Sequence, residues 1–241
     1  MDVSDDAFEA WVEYLFDRPP SELEPIAWYH GEETLTTWDV YYADSDTPVA
    51  QAERIRRLFS NAGPLLRPYT DQQVGHGLNF IVNPACGGEI WVLAGHAIPP
   101  AVRVAGLRSI VTLFTDVFAP RLRVPHPRPA DPDPALIQGS GGLVHPLDFV
   151  CDMFWDVAPL VPRRDDDARL QIIAAKLEVL EATLALDSTA CQHAALHGLG
   201  HEHQEATDEV PEIIHRWLRR NPHAPEELRA YAAQAAIGSV L

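Results

Sequence analysis

Four histidines crowd one short stretch, His193, His197, His201 and His203, with Glu205 close behind them in ACQHAALHGLGHEHQE. Neutral imidazoles and carboxylates are the ligands of zinc and its neighbours, so this composition raises metal chemistry first. On a helix, residues four apart share a face, and His197 with His201 can grip one ion. His193 and His201 are eight residues apart, about 12 Å along a helix axis, whereas zinc–nitrogen bonds are about 2.0 Å, so the three cannot serve one ion. Glu205 follows His201 by four and is the carboxylate within the stretch that can complete the pair. There is no HExxH, so the activating glutamate of a metalloprotease helix is missing from its usual place. The competing reading makes His193, His197 and His201 a ridge of polar-face or inter-helix hydrogen-bonded histidines.

Nucleophilic and phosphate chemistry find less support. Cys191 lies two residues before His193, but on a helical wheel it faces the apolar side, where a thiol behaves as a small hydrophobe. Gly75-His76-Gly77 and Gly87-Gly88 lack phosphate-loop spacing, and the run around Ser140, GSGG, lacks a GxSxG elbow. No catalytic residue and no cofactor follow from these motifs.

The elements that must position the histidines read as helices. Ser188 caps one from Thr189 to about Gln204, with Cys191, Ala194, Ala195, Gly198 and Leu199 on one arc small enough for close approach. A second follows Thr207–Asp208, with Val210, Ile213, Ile214, Trp217 and Leu218 on one stripe, and a third carries Leu228, Tyr231, Ala232, Ala235 and Ala236. Upstream, Leu170, Ile173, Leu177, Leu180 and Leu184 form a seam. Pro99–Pro100 opens a helix through Leu107, Ile110, Phe114 and Phe118, Thr70 with Gln73 forms a capping box, and Thr47–Pro48 starts another helix. Phe8, Trp11, Val12, Leu15 and Phe16 repeat at helical spacing near the start. EIWVLAGH, at 89–96, and residues 149–161 read as further short helices. Gly75 and Gly77 point to close packing. Residues 28–46 fit a hairpin or a packed loop equally.

ACQHAALHGLGH followed by VPEIIHRWL resembles a HEAT-type repeat: an alanine-rich first helix ending in leucine–glycine, then a helix with paired isoleucines and a closing aromatic–leucine. The resemblance covers roughly residues 187–221 and implies an α-solenoid used for holding protein partners. The expected architecture is therefore all-α: a HEAT-like array of about eight to nine helices in a single domain over 1–241, the repeat region spanning 187–241. It is broken by a proline- and glycine-rich surface loop at 121–146, whose Arg121, Arg123 and Arg128 are expected to lie on acidic groups of the same chain.

Charge narrows the function classes. The 241 residues carry a net charge of −17. Residues 1–50 hold thirteen acids against Arg18 alone. Such a face repels phosphate backbones and steers a basic protein partner, so nucleic-acid binding is disfavoured. The expected docking residues are Asp5, Asp6, Glu9, Glu13, Glu32, Glu33 and Asp39. An acidic N-terminus and the lack of a long apolar run argue against a leader or membrane span, and three scattered cysteines without CxxC fit a reducing cytoplasm. The leading expectation is a non-enzymatic binding module docking a basic protein, of adaptor or toxin-neutralising immunity type. The alternative is a metal-dependent enzyme using the His193/His197/His201 ridge.

Overall fold

A computed structural model describes residues 5–17, 47–123, 145–158 and 160–240. Every regular element among the described residues is helical. The order is α1 (Asp5–Phe16), α2 (Pro48–Ser60), α3 (Ala62–Leu66), α4 (Asp71–Val82), a 3-10 helix (Glu89–Ala94), α5 (Pro100–Leu113), α6 (Asp148–Asp152), α7 (Phe154–Val157), α8 (Arg169–Leu184), α9 (Thr189–Glu202), α10 (Glu209–Arg220) and α11 (Glu226–Ala235). α5 runs on through a π-helical turn, Phe114–Phe118, into a last α turn, Ala119–Arg121. The all-α expectation holds. The 28–46 segment and most of the 121–146 loop lie outside the described residues.

Helix starts follow their caps. Thr47 accepts from the Ala50 amide, Ser188 accepts from the Cys191 amide, and Thr70 with Gln73 closes a full capping box. Gly77 has the expected packing role, since a Cβ there would stand 2.3 Å from Phe16 Cε1, where α1 crosses α4. Two stretches differ from expectation. Residues 149–161 break at Met153 into the short α6 and α7, and 89–94 winds as a 3-10 helix, the form used in short pieces between α-helices.

The packing runs in order from α2 to α5, α5 to α8, and α8 to α9, with α6, α7 and α11 closing the far side of α9. α8 is thus covered from two directions. Ile172, Ala175, Lys176, Val179 and Thr183 are buried besides most of the expected seam, while Leu170, at the helix start, is 78% exposed. The single-seam reading of α8 is corrected accordingly. α9 is more enclosed still: Ala194 to Gly200 are all buried, including His197. His197 therefore lies inside the protein and not on a polar face, while His193 and His201 stay partly exposed, so the polar-face reading is corrected at His197 and its inter-helix form is the one that applies there.

Enclosure on this scale requires small residues and paired charges. At Gly198 an added Cβ would stand 2.6 Å from Leu180 Cδ2 and 2.8 Å from Trp155 Cγ. Gly198→Ala is therefore expected to cost about 1–3 kcal/mol through overpacking, measured by urea denaturation. An unchanged midpoint would mean that α9 sits farther from α8 and α7 than described. Buried Lys176 of α8 is paired with buried Glu202 of α9. Buried Arg103 of α5 reaches Asp166 at 2.7 Å and donates to the carbonyls of Leu93 and Ala94. Burial raises the Asp166 carboxyl, but the Ala168 amide and the Arg103 guanidinium outweigh it and hold it below the usual range. The acidic run before α8 is therefore partly structural rather than a solvated helix start.

Arg121 and His145, on either side of residues 124–144 in sequence, meet at one carboxylate. Arg121 Nη1 lies 2.7 Å from Asp71 Oδ1, and His145 Nε2 lies 2.9 Å from Asp71 Oδ2. Arg121 also donates to the Leu66 and Tyr69 carbonyls. The expectation that basic residues of this loop lie on the chain's own acids is met at Arg121.

Candidate metal centre

α9 is antiparallel to α8 across the turn at 185–188, and its capped start fixes which side chains turn toward α6 and α7. Along that side His193, His197 and His201 follow at four-residue steps. Facing them, Asp152 ends α6 and Asp156 lies in α7, again four residues apart. The two series meet as rungs. His193 Nδ1 lies 2.8 Å from Asp152 Oδ1. One turn on, His201 Nε2 lies 3.3 Å from Asp156 Oδ1 and 2.9 Å from His197 Nε2, and His197 Nε2 lies 3.9 Å from Asp156 Oδ1.

Those three separations locate a point. A triangle with sides of 2.9, 3.3 and 3.9 Å has a circumcentre about 2.0 Å from each corner, the length of a zinc–nitrogen bond and the short end of the zinc–carboxylate range. The rings supply an independent check. If both Nε2 lone pairs aim at that point, the imidazole centroids should stand about 4.6 Å apart for bonds of about 2.0 Å. They stand 4.6 Å apart, nearly perpendicular at 77°. The longest side, from His197 to Asp156, exceeds the roughly 3.3 Å edge of a regular tetrahedral zinc site. Asp156 is the group able to adjust, being 41% exposed, whereas His197 is only 5% exposed at its side chain.

His197 is held from behind. Its Nδ1 lies 2.6 Å from the Tyr231 hydroxyl of α11. When Nδ1 carries the proton and donates to that oxygen, Nε2 keeps its lone pair for an ion, which is how ligand histidines are oriented in metal sites. The Tyr231 ring also stacks on His193 at 4.2 Å and 12°. Burial, reinforced by neighbouring His201, lowers the His197 pKa and favours the neutral imidazole. Without an ion, one of the two facing Nε2 atoms donates to the other.

The structure brings together His197 and His201 of the expected ligands and supplies Asp156 as the carboxylate. Glu205 lies elsewhere, paired with Arg169 at the start of α8. His193 belongs to the neighbouring rung. Asp156, Asp152 and Tyr231 carry no strong local signal, although the four-residue spacing of Asp152 and Asp156 matches that of the histidines. Among the expected partner-binding acids, Asp5 pairs with Arg57 at 2.7 Å, and Asp6, Glu9 and Glu13 lie exposed along α1. Glu32, Glu33 and Asp39 lie outside the described residues.

The thiols stay out of this chemistry. Cys86, Cys151 and Cys191 are buried and unbridged, and Cys151 shares a hydrogen bond with Cys191. Burial pushes the Cys151 thiol well up, which keeps it protonated and unreactive. No helix among the described residues is long and apolar enough to cross a membrane. Comparison with protein-family models, with curated proteins and with solved structures finds no match.

Proposed function

We propose that the chain is a metal-binding protein that holds one divalent ion of the zinc class through Asp156, His197 and His201. The observation that carries this reading is the point about 2.0 Å from all three ligand atoms, with the two imidazole centroids 4.6 Å apart, the separation that convergence on that point requires. Three protein ligands leave a coordination position open, and both His201 and Asp156 are partly exposed, so that position faces solvent. An ion held this way acts as a Lewis acid and can activate a bound water.

Titration of metal-depleted, tag-free protein with zinc tests the reading. One equivalent should bind, and Asp156→Ala or His201→Ala should remove it. Undiminished binding in both variants would place the metal elsewhere. Tyr231→Phe keeps the ring on His193 and deletes only the oxygen behind His197. It is expected to weaken zinc about 10–100-fold in competition with a chelator, and to cost about 1–3 kcal/mol in urea denaturation because the buried Nδ1 of His197 loses its hydroxyl partner. Equal affinity would remove Tyr231 from the site.

A second reading keeps the binding-module expectation. Exposed Asp6, Glu9 and Glu13 form an acidic edge on α1 that fits a basic protein partner. A HEAT-like succession is supported at the C-terminal end. Arg169–Glu205 joins the starts of α8 and α10, and Arg216–Glu181 joins their later turns, so the two run side by side in the same sense with α9 between their ends. Three buried, unbridged cysteines agree with a reducing, cytoplasmic compartment.

A further inference from the structure

Two of the three thiols meet across one helix joint. Cys151 lies in α6 and Cys191 in the first turn of α9, and their side chains share a hydrogen bond. Neighbouring residues hold this register: Asp152, next to Cys151, meets His193, two after Cys191, at 2.8 Å. Both thiols are fully buried, so water does not compete for the contact. Cys86, the third, is bonded to Asn79 instead, at 3.5 Å.

The two sulfurs are not equivalent. Burial pushes the Cys151 thiol up, and this thiol is the donor. Cys191 accepts: the Cys151 S–H, with help from the Ser188 hydroxyl, outweighs burial and holds the Cys191 pKa below the ordinary thiol value. Its place in the first turn of α9 acts in the same direction, because the free amides of a helix start favour an anion. A thiolate is the nucleophile in sulfur oxidation, and a second thiol beside it converts the product to a disulfide. Cys151 is inert by itself and acts only on what forms at Cys191. α6 has five residues, so its local opening is the route by which a small oxidant reaches the pair.

We infer that Cys151 and Cys191 are a redox pair, oxidised by hydrogen peroxide to a reversible disulfide that staples α6 to α9. In the first step the Cys191 thiolate forms an S–O bond to the peroxide and the O–O bond breaks. The departing hydroxide recovers the proton that Cys191 had released, giving water. The Cys151 sulfur then forms the S–S bond, the S–O bond of the Cys191 sulfenic acid breaks, and the leaving hydroxide takes the Cys151 proton as a second water. Two thiols and one peroxide give one disulfide and two waters; the sulfurs are oxidised and the peroxide oxygens reduced. A dithiol reductant reverses the change by thiol–disulfide exchange. The step needs no metal ion, so it stands apart from the metal-binding reading.

The test treats the full chain, reduced and freed of reductant, with hydrogen peroxide under native conditions. The sample is then denatured, its free thiols are counted with Ellman's reagent, and its peptides are mapped by mass spectrometry. The count should fall from three thiols per chain to one. The map should join the Cys151 peptide to the Cys191 peptide and leave Cys86 free, and dithiothreitol should restore all three. Cys86→Ala should form the same link. Cys151→Ala should stop at a Cys191 sulfenic acid that dimedone traps. Because wild type alone reports the link, the inference stays testable even where a variant does not fold. Three intact thiols after peroxide treatment, a link through Cys86, or oxidation of Cys191 beyond the sulfenic acid with Cys151 still free would overturn it.

Discussion

His197→Ala is expected to abolish stoichiometric zinc binding and also to destabilise the metal-free protein by about 1–3 kcal/mol. The first effect comes from the geometry of the site: without His197, the rest is one partly exposed histidine and one partly exposed aspartate. Removing a ligand should exceed the 10–100-fold loss that follows removal of a supporting group, so affinity should fall by at least about a hundredfold. The second effect comes from burial, because His197 is 4% exposed and its loss removes its bonds to the Tyr231 hydroxyl and to His201 Nε2. Leu199→Ala, a plain truncation in the same helix, should cost about 2–5 kcal/mol. Two measurements separate the effects. Chelator competition reads the metal loss, and urea unfolding with and without zinc reads the linkage. Wild type should gain about 2.7 kcal/mol at zinc a hundredfold above Kd, and the variant should gain none. A variant that still gained stability from zinc would place the ligands elsewhere.

The second large effect belongs to the Lys176–Glu202 pair. Both groups are buried, and Glu202→Ala leaves an ammonium without its counter-charge between α8 and α9. Breaking such a pair on one side costs about 3–5 kcal/mol. The pH dependence has a definite sign. Burial already lowers the Lys176 pKa against the pull of Glu202, and without Glu202 it falls further. The unfolded chain keeps its proton up to the ordinary lysine value of 10.5. Between the lowered folded value and 10.5 the unfolded state therefore binds more protons, and stability rises with pH by up to about 1.4 kcal/mol per unit. The deficit of Glu202→Ala relative to wild type should shrink from pH 7 to pH 9 in urea titrations. A deficit that stayed constant, or grew, would show that Lys176 remains charged and solvated in the variant.

The fold was readable where local chemistry and periodicity agree. Thr47, Thr70 and Ser188 mark helix starts through the side-chain oxygen that each supplies, and Phe8, Trp11, Val12, Leu15 and Phe16 mark a one-sided helix that is buried on that side. Reading failed where a helix is covered from several directions. α8 and α9 bury residues all round, so a wheel that divides apolar from polar arcs assigns Leu170 to the core and His197 to solvent, and both assignments reverse in the structure. The replacement of lysine or glutamate by glycine, alanine and histidine through most of α9 is the sequence trace of that enclosure.

The candidate metal centre was half legible. His197 and His201 share a helix, so their spacing alone brings them together. Asp156 arrives from an element forty residues away that bends at Met153, and Tyr231 comes from α11, so neither can be found without the tertiary arrangement. Glu205 had the right spacing and failed for a competing reason: Arg169 takes its carboxylate at the joint between α8 and α10. The acidic bias of the first fifty residues carries charge but no geometry, and of the residues named for it Asp5, Asp6, Glu9 and Glu13 lie on α1.

Anomalous scattering at the zinc edge, from crystals of the full chain grown with one equivalent of zinc, tests the central claim most directly. The account predicts a single strong peak about 2.0–2.2 Å from His197 Nε2, His201 Nε2 and an Asp156 carboxylate oxygen. A peak at Glu205 or among other histidines, or none beside His197 at full zinc loading, would contradict it.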